Sequence, residues 1–344
     1  MKISWLKRKI LVFLLTFLVG WFLGYSLSQI TLQSCWPSVD PDMKSGSSAQ
    51  ASHGNGNNNP GDEDLPLATK LYKETRVLCI VLTSPERHQS RALHVKRTWG
   101  ARCNKLLFMS TAEDEILPTV VLDMPDGHSN SWSQTRESLR HVYDNYFGEF
   151  DWFLKADDDT YVVMENLRAF LYAYTPSKPI YFGTILNWKD SNNLILGGSG
   201  YVLSKSALVR FATQAYFNDS ICKIDISGFE NIEMGHCLNN VGVMPGDSHD
   251  ERGIELFSPM PASFNEANKF SNESGHTAPS KTCCSESAIS FHYVEPIYFY
   301  ILDFFLYKLH LFGSPPIQES LPEKKGIGDL VKSWGDWSED LKTN

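Results

Sequence analysis

The chain has 344 residues, a length that leaves open whether it forms one large domain or two small ones. Its formal net charge is −9, and the sequence beyond the first few residues contains no long basic run. Nucleic acid is therefore excluded as an expected partner, because its phosphates bind basic surfaces.

The N-terminus predicts a membrane anchor. Basic residues in segment 1–9 precede an uncharged run at 10–30 that is dominated by Leu, Phe, Val and Trp. A helix needs about 20 residues to span a bilayer. A cleaved signal peptide begins in the same way, but this apolar run is longer and its exit, YSLSQ, lacks a small-x-small cleavage site. Since basic flanks stay in the cytosol, we expect a cytoplasmic tail at 1–9, a transmembrane signal-anchor at 10–30 and a luminal remainder.

A flexible luminal stem is predicted at 31–75. Most of this segment is rich in Ser, Gly, Asn and Pro, and it cannot bury enough apolar surface to offset the entropy of ordering. Two N-glycosylation sequons, at Asn218 and Asn272, fit a secretory location, although such triplets are common by chance.

The cysteines also favour an oxidising compartment. One of the seven lies in the stem and the other six lie beyond it, and an even luminal set indicates disulfides. Zinc is the alternative, but the spacings form no paired CxxC units. The pairs that proximity along the chain favours are Cys79–Cys103, Cys222–Cys237 and a geometrically strained vicinal pair, Cys283–Cys284.

From residue 76 onward, short β-rich runs alternate with longer segments of helical period, a pattern typical of a layered α/β fold. Strands are predicted at 77–83, 106–110, 120–122, 151–156, 180–185 and 290–294. Helices are predicted at 87–99, 132–146, 164–174, 205–216, 230–239 and 298–309.

Three consecutive aspartates, Asp157, Asp158 and Asp159, follow the strand predicted at 151–156. Ligands of open α/β sheets bind beyond the carboxyl ends of strands. Adjacent carboxylates repel one another and normally need a compensating cation. Hard oxygen ligands suit Mg²⁺ or Mn²⁺, which neutralise a leaving diphosphate. The alternative is an acidic loop in which one aspartate caps the next helix.

The string DWFLKADDDTYV resembles the metal motif of the β1,3-glycosyltransferases, and within them most resembles the core 1 β1,3-galactosyltransferases. The blocks HVKRTWGARCN, GGSGYVLSKSAL, GDSHD and CCSESAISFHYV are similar to successive family blocks in the same order. The resemblance extends from residue 77 to residue 313.

This resemblance implies a GT-A-type, Rossmann-like catalytic domain at 76–313, which leaves a C-terminal tail at 314–344 without an interpretable motif. It also implies type II Golgi membrane topology and inverting transfer of galactose from UDP-galactose to O3 of GalNAc α-linked to Ser or Thr of a glycoprotein. A homodimer is expected from the resemblance alone.

Carried over residue by residue, the resemblance gives Asp157 and Asp159 the binding of Mn²⁺ and the diphosphate, and places Asp158 near the ribose. His292 is expected to complete the metal shell, with Tyr293 beside it in the cofactor site. The alternative for a histidine among aromatic residues is a structural position in the core.

Three further donor-site positions follow. Thr83 is a candidate uridine contact or a plain turn residue. Gln134 stands where the family usually has Lys, which weakens phosphate neutralisation. Glycines at 197, 198 and 200 match a loop beside the donor sugar, where Gly198 permits close backbone approach, although a tight turn also uses glycines.

The sequence departs from the family at the catalytic base and the acceptor site. The family base is the Asp of a Glu-Asp pair, whereas this chain has Glu230 and Asn231, and an amide is not a base. Glu230 and Glu233, on one helix face, are the candidate substitutes. Segment 260–282 has no Trp or Tyr where the family has an aromatic acceptor segment.

Three hypotheses remain. The first is a core 1 type galactosyltransferase with an intact donor site, and the second is a catalytically weak or inactive, chaperone-like binding protein. The third is a β1,3-transferase for another donor or acceptor, which the same fold supports.

Overall fold

The computed structural model describes residues 67–124, 130–188, 191–195, 197–224, 228–261, 284–312 and 320–326. The strands in these segments are β1 (Val77–Leu82), β2 (Lys105–Ser110), β3 (Thr119–Val121), β4 (Trp152–Asp157), β5 (Tyr161–Val162), β6 (Ile180–Gly183), β7 (Ile185–Trp188), β8 (Ser191–Ile195), β9 (Tyr201–Ser204), β10 (Met244–Pro245), β11 (Phe257–Ser258) and β12 (Ser290–Phe291). The α-helices are α1 (Leu67–Glu74), α2 (Leu93–Arg97), α3 (Ser131–Tyr146), α4 (Met164–Tyr172), α5 (Lys205–Arg210), α6 (Glu230–Asn240) and α7 (Pro296–Tyr307).

The centre of the fold is a mixed seven-stranded sheet with the strand order β10-β6-β9-β4-β1-β2-β3. Strand β1 pairs in parallel with β2 and β4, while β9 runs antiparallel to β4 and β6. A small sheet, β11-β12-β5, and the hairpin β7-β8 complete the pairing of the described strands. The predicted α/β class is confirmed, and a central mixed sheet of this kind fits a GT-A-like fold.

The main sheet is covered on both faces, as the apolar run VLCIVL in β1 predicts. Alternate β1 residues enter two different hydrophobic cores because side chains alternate along a strand. One core contains residues of α2, α4 and α7, and the other contains residues of α3, α5 and α6. The strand ends are therefore free to form a site at the edge between these helical layers.

The predicted helix at 87–99 is instead a series of short helical turns. A 3₁₀ turn at Pro85–Arg87 leads into a π-helical segment at His88–Ala92, followed by α2 and a second 3₁₀ turn at Trp99–Arg102. The break after α2 occurs at Thr98, whose φ of −118° and ψ of −115° lie outside the helical region. Periodicity alone did not separate these turns from a continuous helix.

Helix α1 lies inside the interval that was assigned to the stem, yet it belongs to the folded domain. Leu71 is buried. The guanidinium of Arg168 lies 4.7 Å from the ring centre of Tyr72, and Asn104 donates a hydrogen bond to the Tyr72 carbonyl at 3.0 Å. The folded chain therefore starts before residue 76.

Two predicted disulfides are confirmed. Cys79 on β1 is bonded to Cys103, and Cys222 is bonded to Cys237 on α6, with Cα–Cα distances of 6.1 and 4.7 Å. Cys284 is also disulfide-bonded. Since residues 35 and 283 lie outside the described residues, the vicinal pair stays a prediction.

Across the described segments, no helix has both the length and the apolar character needed to cross a bilayer. The predicted tail at 1–9 and anchor at 10–30 lie outside those segments, so they stay predictions. The sequon residue Asn218 is exposed, whereas Asn272 and most of the acceptor segment at 260–282 also lie outside the described residues.

Candidate functional site

The site forms where β1 and β4 end. These strands are parallel neighbours, and their register places Leu82 opposite Asp157. Residues that follow the two strands therefore meet at one edge of the sheet. The Thr83 hydroxyl accordingly donates a hydrogen bond to Asp158 Oδ2 at 2.8 Å.

Asp157, Asp159 and His292 come together as a candidate metal centre, with one potential ligand atom from each lying within 4.8 Å of the others. His292 follows β12, which pairs antiparallel with β5 directly after the aspartates. This pairing explains how a histidine distant in sequence reaches the site. Two carboxylates and an imidazole, all partly exposed, fit a divalent cation such as Mn²⁺.

Asp158 lies beneath this group, with its side chain only 1% exposed. Its Oδ1 atom has no hydrogen-bond partner among the described residues. Burial, reinforced by the charges of Asp159 and Asp157, raises the pKa of Asp158 to about 7, against the opposing effects of the Thr83 hydrogen bond and the Arg87 charge. The middle aspartate is thus held between its neutral and ionised forms near neutral pH.

Two cations beside the aspartates were not identified from the sequence. Arg91 donates to Asp159 Oδ2 at 2.6 Å, and both Arg87 and Arg91 lie 3.7 Å from Asp158 Oδ1. Burial opposes the charge of Asp159, but His292 and Arg91 hold the pKa of this carboxyl below its usual value. The sequence feature that could have identified these cations is a pair of arginines four residues apart, shortly after the carboxyl end of β1. Partly exposed guanidinium groups of this kind suit phosphate oxygens.

The glycine loop packs tightly between two site residues. A Cβ atom at Gly198 would lie 2.1 Å from Cε1 of His292, and one at Gly197 would lie 2.3 Å from Oε2 of Glu230. Thr160 also donates to the Gly198 carbonyl at 2.7 Å. Close backbone approach therefore requires these two glycines, and a positive φ of 83° accounts for Gly200. Contact with a donor sugar stays a prediction.

Glu230 is buried and fully engaged. Lys155, 1% exposed, donates to Glu230 Oε2 at 3.0 Å and to Asp157 Oδ1 at 2.8 Å. The hydroxyls of Thr135 and Tyr201 donate to Glu230 Oε1 at 3.1 and 3.0 Å. Although burial opposes the charge, Asp157 and Glu230 raise the pKa of Lys155. Because both carboxylate oxygens of Glu230 are occupied by these donors and the side chain is buried, the contacts give Glu230 a structural role.

The other two predicted catalytic residues lie in the first turn of α6. The Asn231 side chain accepts a hydrogen bond from the Ile232 amide at 3.1 Å. Glu233 is partly exposed, and its nearest charged partner is Lys223 at 3.9 Å. Of the three predicted residues, Glu233 therefore has the more exposed and less closely paired carboxylate.

Gln134 and Tyr293 support the site from either side. The Gln134 amide donates to the carbonyls of Thr83 and Met109 at 3.1 and 3.0 Å, which joins the ends of β1 and β2. Tyr293 is 60% exposed and stacks on His292 with ring centres 3.8 Å apart. This stacking restricts the orientation of the imidazole.

Comparison with known proteins identifies relatives of this chain. A model of the Fringe-like family matches residues 72–249, which include the aspartates and α6. The Xenopus laevis protein named glycoprotein-N-acetylgalactosamine 3-beta-galactosyltransferase 1 is 37% identical over 272 residues, covering 75% of each chain.

More distant relatives match shorter stretches. A Mus musculus beta-1,3-glucosyltransferase is 25% identical over 58% of this chain and 42% of its own length. Human chondroitin sulfate synthase 3 is 26% identical over 47% of this chain and 20% of its own length. Together with the α/β architecture and the cluster of Asp157, Asp159 and His292, these similarities show that the chain belongs to the Fringe-like family of glycosyltransferases, in its core 1 β1,3-galactosyltransferase branch.

Proposed function

We propose that this protein transfers galactose, with inversion, from UDP-galactose to O3 of GalNAc α-linked to Ser or Thr of a glycoprotein, the reaction that forms the core 1 O-glycan. The observation that carries the proposal is the convergence of Asp157, Asp159 and His292 at the carboxyl edge of β1 and β4. The 37% identity to a relative named for this type of activity supports the choice of sugars.

The donor side of the proposed site binds the nucleotide. Asp157, Asp159 and His292 would hold Mn²⁺, which when bound supplies positive charge to neutralise the diphosphate of the leaving UDP. Arg87 and Arg91, beside the same carboxylates, supply further positive charge. Thr83 and Asp158 form the floor on which the nucleoside is proposed to lie.

In the proposed transfer, the acceptor hydroxyl attacks the anomeric carbon from the face opposite UDP. The new carbon–oxygen bond forms as the bond to UDP breaks, and UDP leaves with the electron pair. A base takes the proton of the hydroxyl. We assign this role to Glu233, because Glu230 is occupied by Lys155 and Asn231 is an amide.

A second candidate is a nucleotide-binding protein without transfer activity. Asn231 favours it, since the amide stands where the family resemblance places the base. A base misplaced by about 1 Å can cost about 100-fold in rate. A donor site without useful turnover is therefore expected only if Glu233 fails to reach the acceptor.

The deciding experiment is a transfer assay on the purified full chain with UDP-galactose, Mn²⁺ and a GalNAcα-threonine peptide. We expect β1,3-linked product from the natural chain, a loss of about 100-fold in Glu233→Gln and no loss in Glu149→Gln, which removes an exposed carboxylate elsewhere. Product from Asn231→Asp alone would support the second candidate. Hydrolysis of the donor without transfer would reject this acceptor.

We further propose that the chain is a type II Golgi membrane protein with a cytoplasmic tail at 1–9, an anchor at 10–30, a luminal stem and a luminal domain that starts at or before α1. The uncharged run at 10–30 supports this topology. The chain should resist extraction from membranes at alkaline pH and should carry an N-glycan at the exposed Asn218. Release at alkaline pH, or an unglycosylated Asn218 accessible to cytosolic protease, would reject it.

A further inference from the structure

One face of helix α7 packs against the rest of the domain. Phe299 is fully buried. Asp303 pairs with Arg102 at 2.7 Å, and the Arg102 guanidinium lies 3.6 Å from the ring centre of Tyr307. These contacts fix the rotation of α7 about its axis and so determine which side chains point away from the domain.

The opposite face of α7 is also apolar. Ile297, Ile301, Phe304 and Phe305 follow the spacing i, i+4, i+7 and i+8, which places them on one side of a helix. Their exposed fractions are 51%, 39%, 51% and 58%. We call these four residues the outer face. Further exposed apolar residues beside it or just beyond the helix are Tyr298, Leu306, Leu309, Leu311 and Phe312.

An apolar surface of this size needs a covering partner. A helix that is apolar on both sides is normally buried on both, and a contiguous exposed apolar patch marks an interaction site. The sequence of 296–312 contains one acidic residue, Asp303, and its side chain is directed inward to Arg102. The exposed charge within α7's last turn and its extension is the cation Lys308. An apolar face flanked by a basic residue is typical of a helix that lies in the interfacial region of a membrane.

The C-terminal end of α7 lies near the start of the folded domain. Arg102, which stacks on Tyr307 at the end of α7, lines one cavity together with Leu71 and Tyr72 of α1. Helix α1 begins at Leu67, the first described residue. The C-terminal end of α7 and the start of the folded domain are therefore on the same side of the molecule.

A stem of the predicted length would allow this side of the domain to reach the bilayer. If residues 10–30 form the anchor, residues 31–66 connect it to α1. A flexible coil of that length has a root-mean-square span of about 33 Å. A tether of this reach gives the domain a high effective concentration at the membrane surface.

We propose that the outer face of α7 docks on the luminal surface of the bilayer in which the chain is anchored. The apolar side chains enter the boundary between headgroups and acyl chains, and Lys308 contacts headgroup phosphates. Because α7 begins just after His292 and Tyr293, docking would hold the candidate site in one orientation relative to the bilayer. The inference rests on the membrane anchoring proposed above and is independent of which sugar the site transfers.

The test uses the full chain reconstituted in phosphatidylcholine nanodiscs. An environment-sensitive fluorescent amino acid replaces Phe305 by codon suppression, which leaves the seven cysteines untouched. The matched control carries the same probe at Phe217, which is 71% exposed. Phe217 comes shortly after α5, which belongs to the helical layer on the other face of the main sheet. We expect lipids brominated on their acyl chains to quench the probe at 305 by about half or more, because docked apolar side chains lie about 5–10 Å into the interface. The probe at 217 should be unaffected.

Removing the apolar side chains gives a second measurement. With the probe at Ile301, the double substitution Phe304→Ser and Phe305→Ser should abolish quenching. Mn²⁺-dependent UDP binding should persist, because both replaced residues are exposed. Quenching that is absent at 305, or equal at 305 and 217, would overturn the proposal. So would a probe protected only in discs that hold two chains, because a second copy would then cover the face. Retained UDP binding without quenching would reject docking alone, whereas chains lost from the discs would also reject the anchor.

Discussion

Two buried carboxylates lie at the candidate site, and they differ in what surrounds them. Glu230, at the start of α6, accepts from the Lys155 ammonium and from two hydroxyls. Asp158, after β4, accepts from the Thr83 hydroxyl, and its other oxygen has no hydrogen-bond partner in the described part of the chain. Burial of a charge is costly unless it is paired and hydrogen-bonded. The charge of Glu230 is therefore satisfied within the fold, whereas Asp158 keeps one oxygen without a hydrogen-bond partner among the described residues.

This contrast separates the candidate metal centre from the residues at the start of α6. The ligand atoms of Asp157, Asp159 and His292 converge and are partly exposed. At α6, the residue that the resemblance aligns with the base is Asn231, and Glu230 beside it is occupied. Under the proposed function, variants of the metal centre and variants of α6 should therefore affect different measurements.

The largest effect is expected from Lys155→Met. This change leaves Glu230 and Asp157 without their buried cation, and breaking a buried ion pair costs about 3–5 kcal/mol. Thermal and denaturant unfolding of the purified chain measure this loss. Lys155→Met combined with Glu230→Gln should recover part of the stability, because a neutral amide removes the unpaired charge. A single variant as stable as the natural chain would show that the pair does not hold the two sides together.

Asp159→Ala should weaken Mn²⁺-dependent binding of UDP by about 100-fold or more, since loss of even an outer-shell partner costs about 10–100-fold in metal affinity. Calorimetry with UDP in the presence and absence of Mn²⁺ measures the change. The control is Asp144→Ala, which removes an exposed carboxylate from α3 that pairs with Arg140. Unchanged UDP affinity in Asp159→Ala, or in the natural chain after chelation, would refute a metal-dependent donor site.

Gly198→Ala should weaken Mn²⁺ binding by about 10-fold. The new Cβ would overlap the His292 ring at 2.1 Å and displace the imidazole from Asp159. Gly148→Ala is the control, because nothing lies within 4 Å of its Cβ position. Manganese titration followed by electron paramagnetic resonance gives the affinity directly. Equal affinities in the two variants would place the ligand set away from His292.

The smallest effect, when measured over a single pH unit, is a pH dependence of stability in metal-free solution. The pKa of Asp158 is about 7 in the folded chain, above its ordinary value of 3.8, so the folded state holds a proton that the unfolded state has lost between these limits. The free energy of unfolding should therefore fall as pH rises through this window, by at most about 1.4 kcal/mol from pH 5 to pH 6, and level off above about pH 7. Chemical unfolding at each pH should show this slope in the natural chain and its loss in Asp158→Asn.

Much of the framework could be predicted from local sequence. The apolar run of β1 and the strand before the aspartates predicted the two central strands, and proximity along the chain predicted the two confirmed disulfides. The chain of short turns after β1 was missed because each segment is only 3 to 5 residues long, too short for its own period to appear in the sequence pattern. Helix α1 was missed because its few apolar residues gain their burial from α4, which is distant in sequence.

The sequence by itself determined which residue types are present for the proposed chemistry. These are consecutive carboxylates after a buried strand, a late histidine, a glycine loop and an amide in place of a base. Only the tertiary structure decided which of these groups remain available to a ligand. Lys155 on β4 pairs with Glu230 on α6, and Arg91 pairs with Asp159. Helix α7 exposes a second apolar side. Those pairings depend on strand register and helix packing between distant segments, and a charge or an apolar side chain is free or occupied only in relation to such neighbours.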